Sequence, residues 1–276
     1  MARDLASWGH TLPVGADRLT VATLFVNLQR RRIEPRPRTL HTARDLICPP
    51  SLQAGYELVK TKLTQGLDVN AHLSRSIKTN ASYDDMLLND WGFHHLHLGT
   101  SVRPSGLIQR TGDLLFIHLA PDDVYLVGIG DHHDWAAKRL NNALFDNWPT
   151  LFAGRMLPIR VDEIPQADHE ALRNAGVFVM TNLPNGQVAL PLGGGYATSK
   201  RSLDVTMRVG HICRETSELE RRFETMIPKI VAALAPHGIK PEHLSFHLRQ
   251  ADDGAFFAVD DVSNVSVKLF EPSKAA

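Results

Sequence analysis

The chain has 276 residues, 43% of them hydrophobic, and its 30 Lys+Arg balance 30 Asp+Glu, so it is long enough for a core of one large or two modest domains and its net field excludes a general polyanion binder. Two cysteines, Cys48 and Cys213, exclude a thiol metal cluster and a disulfide framework and point to a reducing, cytoplasmic setting. The N-terminus is charged within its first four residues and nowhere do about 18 apolar residues run together, which predicts neither export nor membrane insertion.

The first element is a helix from a cap at Asp17 to about Ile33, with Val21, Leu24, Phe25 and Leu28 on one stripe before Pro35 stops it. It runs into "LQRRRIEPRPR", where Arg30, Arg31, Arg32, Arg36 and Arg38 face Glu34 alone. That run reads either as a solvated helix end supported by the helix dipole or as a patch that contacts the phosphates of RNA. A second helix capped by Ser51 carries Tyr56, Val59 and Leu63 and ends at Gly66. A third starts at Ser82, with Asp85 completing a shortened capping box, and stops near Gly92.

"DWGFHHLHLGTS" follows and reads as a strand over residues 93–98. "LLFIHLAPDDVYLVGIGD" reads as a hairpin, 114–119 and 124–130, turning at Pro121, Asp122 and Asp123. From Asp134 an amphipathic helix runs to Pro149. Beyond residue 160 the pattern predicts a short helix closed by Gly176, a turn at "NLPNG", and a strand "SLDVTMRV" by its alternation. Ser217 and Glu220 predict a capping box for a helix to about Ala235, interrupted at Pro228, and short strands follow near 244–250, 255–259 and 265–270. The fold class is α+β: a helical N-terminal segment with a small, mostly antiparallel, histidine-bearing sheet over 1–160, and a second α+β region over 161–276, separate or packed with the first.

The chemical signal is histidine. Six of 14, His94, His95, His97, His118, His132 and His133, lie between residues 94 and 133, where an even spread would place about two. Strand alternation puts His95 and His97 on one face and His94 with Leu96 and Leu98 on the other. If the hairpin neighbours this strand, His118 joins His95 and His97, with Arg110 just before the hairpin and His132 and His133 just after it. His94 is then expected to serve folding. Packing alone would make these imidazoles hydrogen-bonded core residues.

Two chemistries suit such a cluster. One imidazole can remove the proton of a ribose 2′-hydroxyl while another protonates the leaving 5′-oxygen, and an arginine can stabilise the phosphorane between them. "RTGDLLFIHLAPDDVYLVGIGDHHDW" within residues 107–135 resembles the hairpin and following loop of RelE-type toxin ribonucleases. The resemblance implies a metal-independent endoribonuclease with RNA and an antitoxin or other protein as partners, Arg110 in the phosphate-stabilising place, and His132 or His133 as acid or base. The alternative is a metal-dependent hydrolase or lyase, because His95, His97 and His118 are similar to the three-histidine zinc set of alpha-class carbonic anhydrases. A cupin lacks its Glu in "LGTSVRPSG". A third reading is a non-catalytic nucleic-acid- or protein-binding component of a defence or mobile-element system. "LPLGGGYATSK" lacks the P-loop pattern and reads as a turn, and "SFHLRQ" reads as a solvated strand face.

Overall fold

The computed structural model describes residues 1–131, 138–159, 162, 164–197, 199–238, 240, 242 and 244–270. His132 and His133, and the start of the helix expected from Asp134, lie outside them. The class is α+β, and the chain packs as two compact units, Met1–Val209 and Gly210–Ala276. The division therefore falls well beyond residue 160, because the stretch after 160 joins the first core: Leu183 and Ala189 bury against Trp91 and Phe93, and Gly193 and Gly195 donate backbone hydrogen bonds to Asp90 and Asn89.

The first unit opens with α1 (Ala2–Ser7) and α2 (Arg18–Arg31), the latter capped by Asp17, whose side chain accepts from the Thr20 amide. Strand β1 (Thr39–Thr42) follows, then α3 (Gln53–Gln65), closed by Gly66 in the left-handed region at φ 73°. Ser51 is not the cap of α3; a 3-10 turn over Pro50–Leu52 leads straight into it. After α4 (Ser76–Thr79) comes α5 (Met86–Trp91), shorter than expected because Asp85, not Ser82, is its N-cap.

Strands β2 (Phe93–His97), β3 (Leu114–Leu119) and β4 (Asp123–Gly130) form an antiparallel meander. β1 pairs with β4 in parallel, so the sheet order is β1-β4-β3-β2 and β2 is an edge strand. Leu96, Leu115, Ile117, Val124 and Leu126 point to one face, against Leu28 of α2 and Val59 and Leu63 of α3. Phe93, Leu114 and Phe116 point to the other, against Leu140 and Leu144 of α6 (Lys138–Asn147). A bulge at Phe116/Ile117 offsets the β3–β4 register, and Gly128 there lets α6 approach, since a Cβ would lie 3.3 Å from Leu140. With both faces covered, the sheet buries its apolar residues in two layers of core.

The remainder of this unit holds β5 (Met156–Leu157), α7 (Gln166–Asn174), β6 (Thr181–Asn182) and β7 (Val188–Ala189), the three strands forming a small sheet in the order β5-β7-β6. The expected strand "SLDVTMRV" is instead the start of α8 (Leu203–Leu234), a helix of 32 residues. Val205 and Val209, four apart, are buried, whereas Met207 between them is 65% exposed: the burial follows a helical period, not a strand's. Ser217 and Glu220 accordingly lie inside α8, which also contains Pro228. In the second unit β8 (His247–Gln250), β9 (Phe256–Asp260) and β10 (Val265–Phe270) form an antiparallel meander in the order β10-β9-β8. Its core joins Leu219, Phe223 and Met226 to Ala258 and Leu269. Among the described residues no helix is long and apolar enough to cross a membrane.

Candidate functional site

The histidine strand has the neighbour its alternation requires. In the register of β2 and β3, Phe93 faces His118, His95 faces Phe116 and His97 faces Leu114. His95, His97 and His118 therefore project from the same face. Yet His118 lies four positions from the partner of His97, about 13 Å along the strand, so the three do not converge on one point.

Two of them are tied into the fold. The His97 ring is 2% exposed, and its Nδ1 accepts from the Thr111 amide at 3.3 Å. The carbonyl of His97 in turn accepts from Nδ1 of the buried His72 at 2.8 Å. His118 places Nδ1 3.1 Å from the carbonyl of Gly92 and sets its ring edge-on to Phe93. Burial, the largest effect in each case, lowers the pKa of both His72 and His118 and favours neutral rings.

His95 is half-buried and forms part of the wall of a cleft of about 360 Å³. Leu114 and Phe116 of β3, Met86 and Leu87 of α5, and Tyr83, Asp85 and Ser74 complete that wall. A much smaller cavity, about 10 Å³, lies among His94, His95, Asp85, Ser74, Ser76 and Arg31. His94, on the other face of β2, is 8% exposed, and neither of its ring nitrogens meets hydrogen-bond geometry. Its pKa is pushed down to about 4, first by burial and also by the Arg30 guanidinium, against the opposing pull of Asp85. A neutral imidazole thus stands beside His95 at neutral pH.

The 80–85 loop is held over this cleft by α2. Nδ2 of the buried Asn27 donates to the carbonyls of Ala81 at 2.9 Å and Tyr83 at 3.0 Å. Arg31 donates to the carbonyl of Asn80 and to Oγ of Ser76, and its guanidinium stacks 5.0 Å from the Tyr83 ring centroid. Asp85 points into the start of α5, where Oδ1 accepts from the Leu88 amide at 3.1 Å.

The arginine run is divided by its surroundings. Arg30 donates to Oδ1 of Asn89 and to the carbonyls of Leu88 and Gly193, and its Nε lies 3.4 Å from Asp204. Arg31 and Arg38 are buried, the latter donating to the carbonyls of Glu34 and Arg36. Arg30 and Arg31 are thus neither a solvated helix end nor an open phosphate-contacting patch, because acceptors within the fold occupy their donors. Arg32 stacks 4.9 Å over the Trp8 ring, and Arg36 forms an exposed ion pair with Asp122. Arg110 is exposed, in the connection from β2 to β3, and is not among the residues lining the cleft.

Of the residues singled out by sequence, the cleft thus gathers His95 and, through the small cavity, Arg31. His94, expected to serve folding, borders the small cavity as well, and the cleft adds Ser74, Tyr83 and Asp85, whose only sequence signal is the helix-capping position of Asp85. Among the described residues no group of three or more His, Cys, Asp or Glu side chains is placed to hold a metal ion. No protein-family model, curated protein or solved structure matches the chain.

Proposed function

We propose that the protein is a metal-independent ribonuclease of toxin type that works in the cleft beside β2, with His95 as its acid/base residue. The observation that carries this reading is the pairing of a cleft-facing imidazole, His95, with the buried neutral His94 and the carboxylate of Asp85 around one recess. In the reaction the His95 imidazole removes the 2′-hydroxyl proton, the freed oxygen attacks the adjacent phosphorus, and the P–O5′ bond breaks. The imidazolium returns its proton to the departing 5′-oxygen or to solvent. The resemblance of residues 107–135 to RelE-type toxins supports RNA as the substrate, and a cytoplasmic setting would suit both RNA and the free thiols of Cys48 and Cys213.

The test is to incubate the purified full chain with RNA, with and without a chelator, alongside His95→Ala. Chelator-resistant cleavage that falls about 10²- to 10⁴-fold in His95→Ala, the usual scale for an acid/base group, is the expected result. Cleavage that stops with the chelator, or that His95→Ala leaves intact, overturns it.

A further inference from the structure

We infer that the cleft is a nucleobase pocket, stacking one base on Tyr83 and using Asp85 to favour bases that carry an exocyclic amino group; this rests on the ribonuclease reading for the identity of the ligand. The walls decide which part of a nucleotide enters. Met86, Leu87, Leu114 and Phe116 are apolar, and among the described residues that line the larger cleft the acidic one is Asp85. The scissile phosphate need only reach His95 at the cleft wall; seated among the apolar side chains it would lose its hydration beside a carboxylate. A planar, uncharged heterocycle meets an aromatic ring and apolar walls instead. The volume of about 360 Å³ falls in the ordinary range of small-molecule sites, roughly 300–1,000 Å³.

Tyr83 is built as a platform. Its ring is 42% exposed, yet its backbone is anchored by Asn27 and its ring is stacked by Arg31, which is itself locked onto Asn80 and Ser76. An exposed tyrosine held in place by buried partners does not have to be ordered when a base arrives, and that lowers the entropic cost of stacking. Asp85 supplies the selectivity. An ionised carboxylate only accepts hydrogen bonds, so it matches the amino group of adenine, cytosine or guanine. Uracil offers carbonyl oxygens at those positions, which a carboxylate repels. Ser74, able to donate and accept, sits on the same wall for the remaining ring atoms.

The experiment titrates the full chain with AMP, CMP, GMP and UMP separately, reading binding by calorimetry, and compares Tyr83→Ala and Asp85→Asn. Asparagine caps helices as well as aspartate, so Asp85→Asn preserves α5 while giving the pocket a donor. The expected result is tighter binding of at least one amino-bearing nucleotide than of UMP, a loss of about 10- to 100-fold in Tyr83→Ala, and a narrowed gap to UMP in Asp85→Asn. Melting curves verify that each variant is folded, and Tyr83→Phe, which keeps the stack, should bind like the native chain. Equal affinity for all four nucleotides, or binding unaffected in a folded Tyr83→Ala, overturns the proposal. RNA cleavage by His95 together with indifferent nucleotide binding would sink the pocket alone. Selective nucleotide binding without any RNA cleavage would sink the ribonuclease reading alone.

Discussion

His95 and His97 sit two residues apart on the same face of the same strand, and the fold treats them oppositely. Thr111 donates to the His97 ring, His72 donates to the His97 carbonyl, and the side chain is 2% exposed. His95 is half-buried, on the wall of a cleft it shares with Asp85 and Tyr83. Face and residue type are identical, so neither decides which imidazole is available for chemistry. What differs is the enclosure: the Thr111 amide closes over His97 at the end of β2, whereas His95 in the middle of the strand borders the recess lined by Tyr83 and Asp85. The arginines divide in the same way, with Arg30 enclosed by three acceptors and Arg36 meeting Asp122 at the surface.

The sharpest break of this comparison uses the cations. Arg30→Ala leaves the Asn89 side chain, two buried carbonyls and Asp204 without their guanidinium, and removing one partner of a buried charged network typically costs about 3–5 kcal/mol. Arg36→Ala removes an exposed pair and should cost less than about 1 kcal/mol. Chemical denaturation of the two variants measures both. If they cost the same, enclosure by the fold is not what separates these side chains.

The imidazoles give the next largest contrast. His97→Ala removes a buried ring and strands the Thr111 amide, and should destabilise by about 2–4 kcal/mol. His95→Ala, at a partly open wall, should fall within about 1 kcal/mol of the native protein while losing its activity on RNA. The ribonuclease assay and a melting curve on each variant check the inversion. A destabilised His95→Ala with a fully stable His97→Ala would reverse the assignment of the two residues.

How much of this was legible in sequence depends on where each partner comes from. The hairpin was legible because its alternating branched and aromatic residues flank the turn formers Pro121, Asp122 and Asp123, all local signals. Alternation also placed His95 on the correct face. It failed at 203–209, where Leu203, Val205, Met207 and Val209 satisfy a period of two in residues that are helical; only the burial of Val205 and Val209 with Met207 outside separates the cases, and the sequence does not display burial. The enclosure of Arg30 and Arg31 is hidden for a related reason, since their partners include the carbonyls of Asn80, Leu88 and Gly193, which every residue type carries. Tyr83 and Asp85 reach the cleft because the 80–85 loop is fixed by Asn27, and Ser74 reaches it from the segment before α4, long-range placements without a local motif.

The smallest of these effects concerns His94, which lies between the two extremes: enclosed like His97, yet beside the same small cavity as His95. Its folded-state pKa, about 4, is below its ordinary 6.5, so between those values the unfolded chain binds the extra proton more readily than the folded one. Stability is therefore fully present above about pH 6.5, declines as the pH falls toward 4, and levels off below it. Between pH 7 and pH 5 this linkage amounts to about 2 kcal/mol. Arg30, Arg31, His95 and Asp85 surround the ring; the cations add to the effect and Asp85 opposes it. His72 and His118, also lowered by burial, contribute with the same sign, so the quantity to measure is the difference between the native chain and His94→Leu. Denaturation of both proteins at pH 7 and pH 5 should show the native chain losing about 2 kcal/mol more than the variant. An equal loss in both would mean that the His94 ring already finds a partner for its proton, and would move it from the enclosed group to the cleft-facing one.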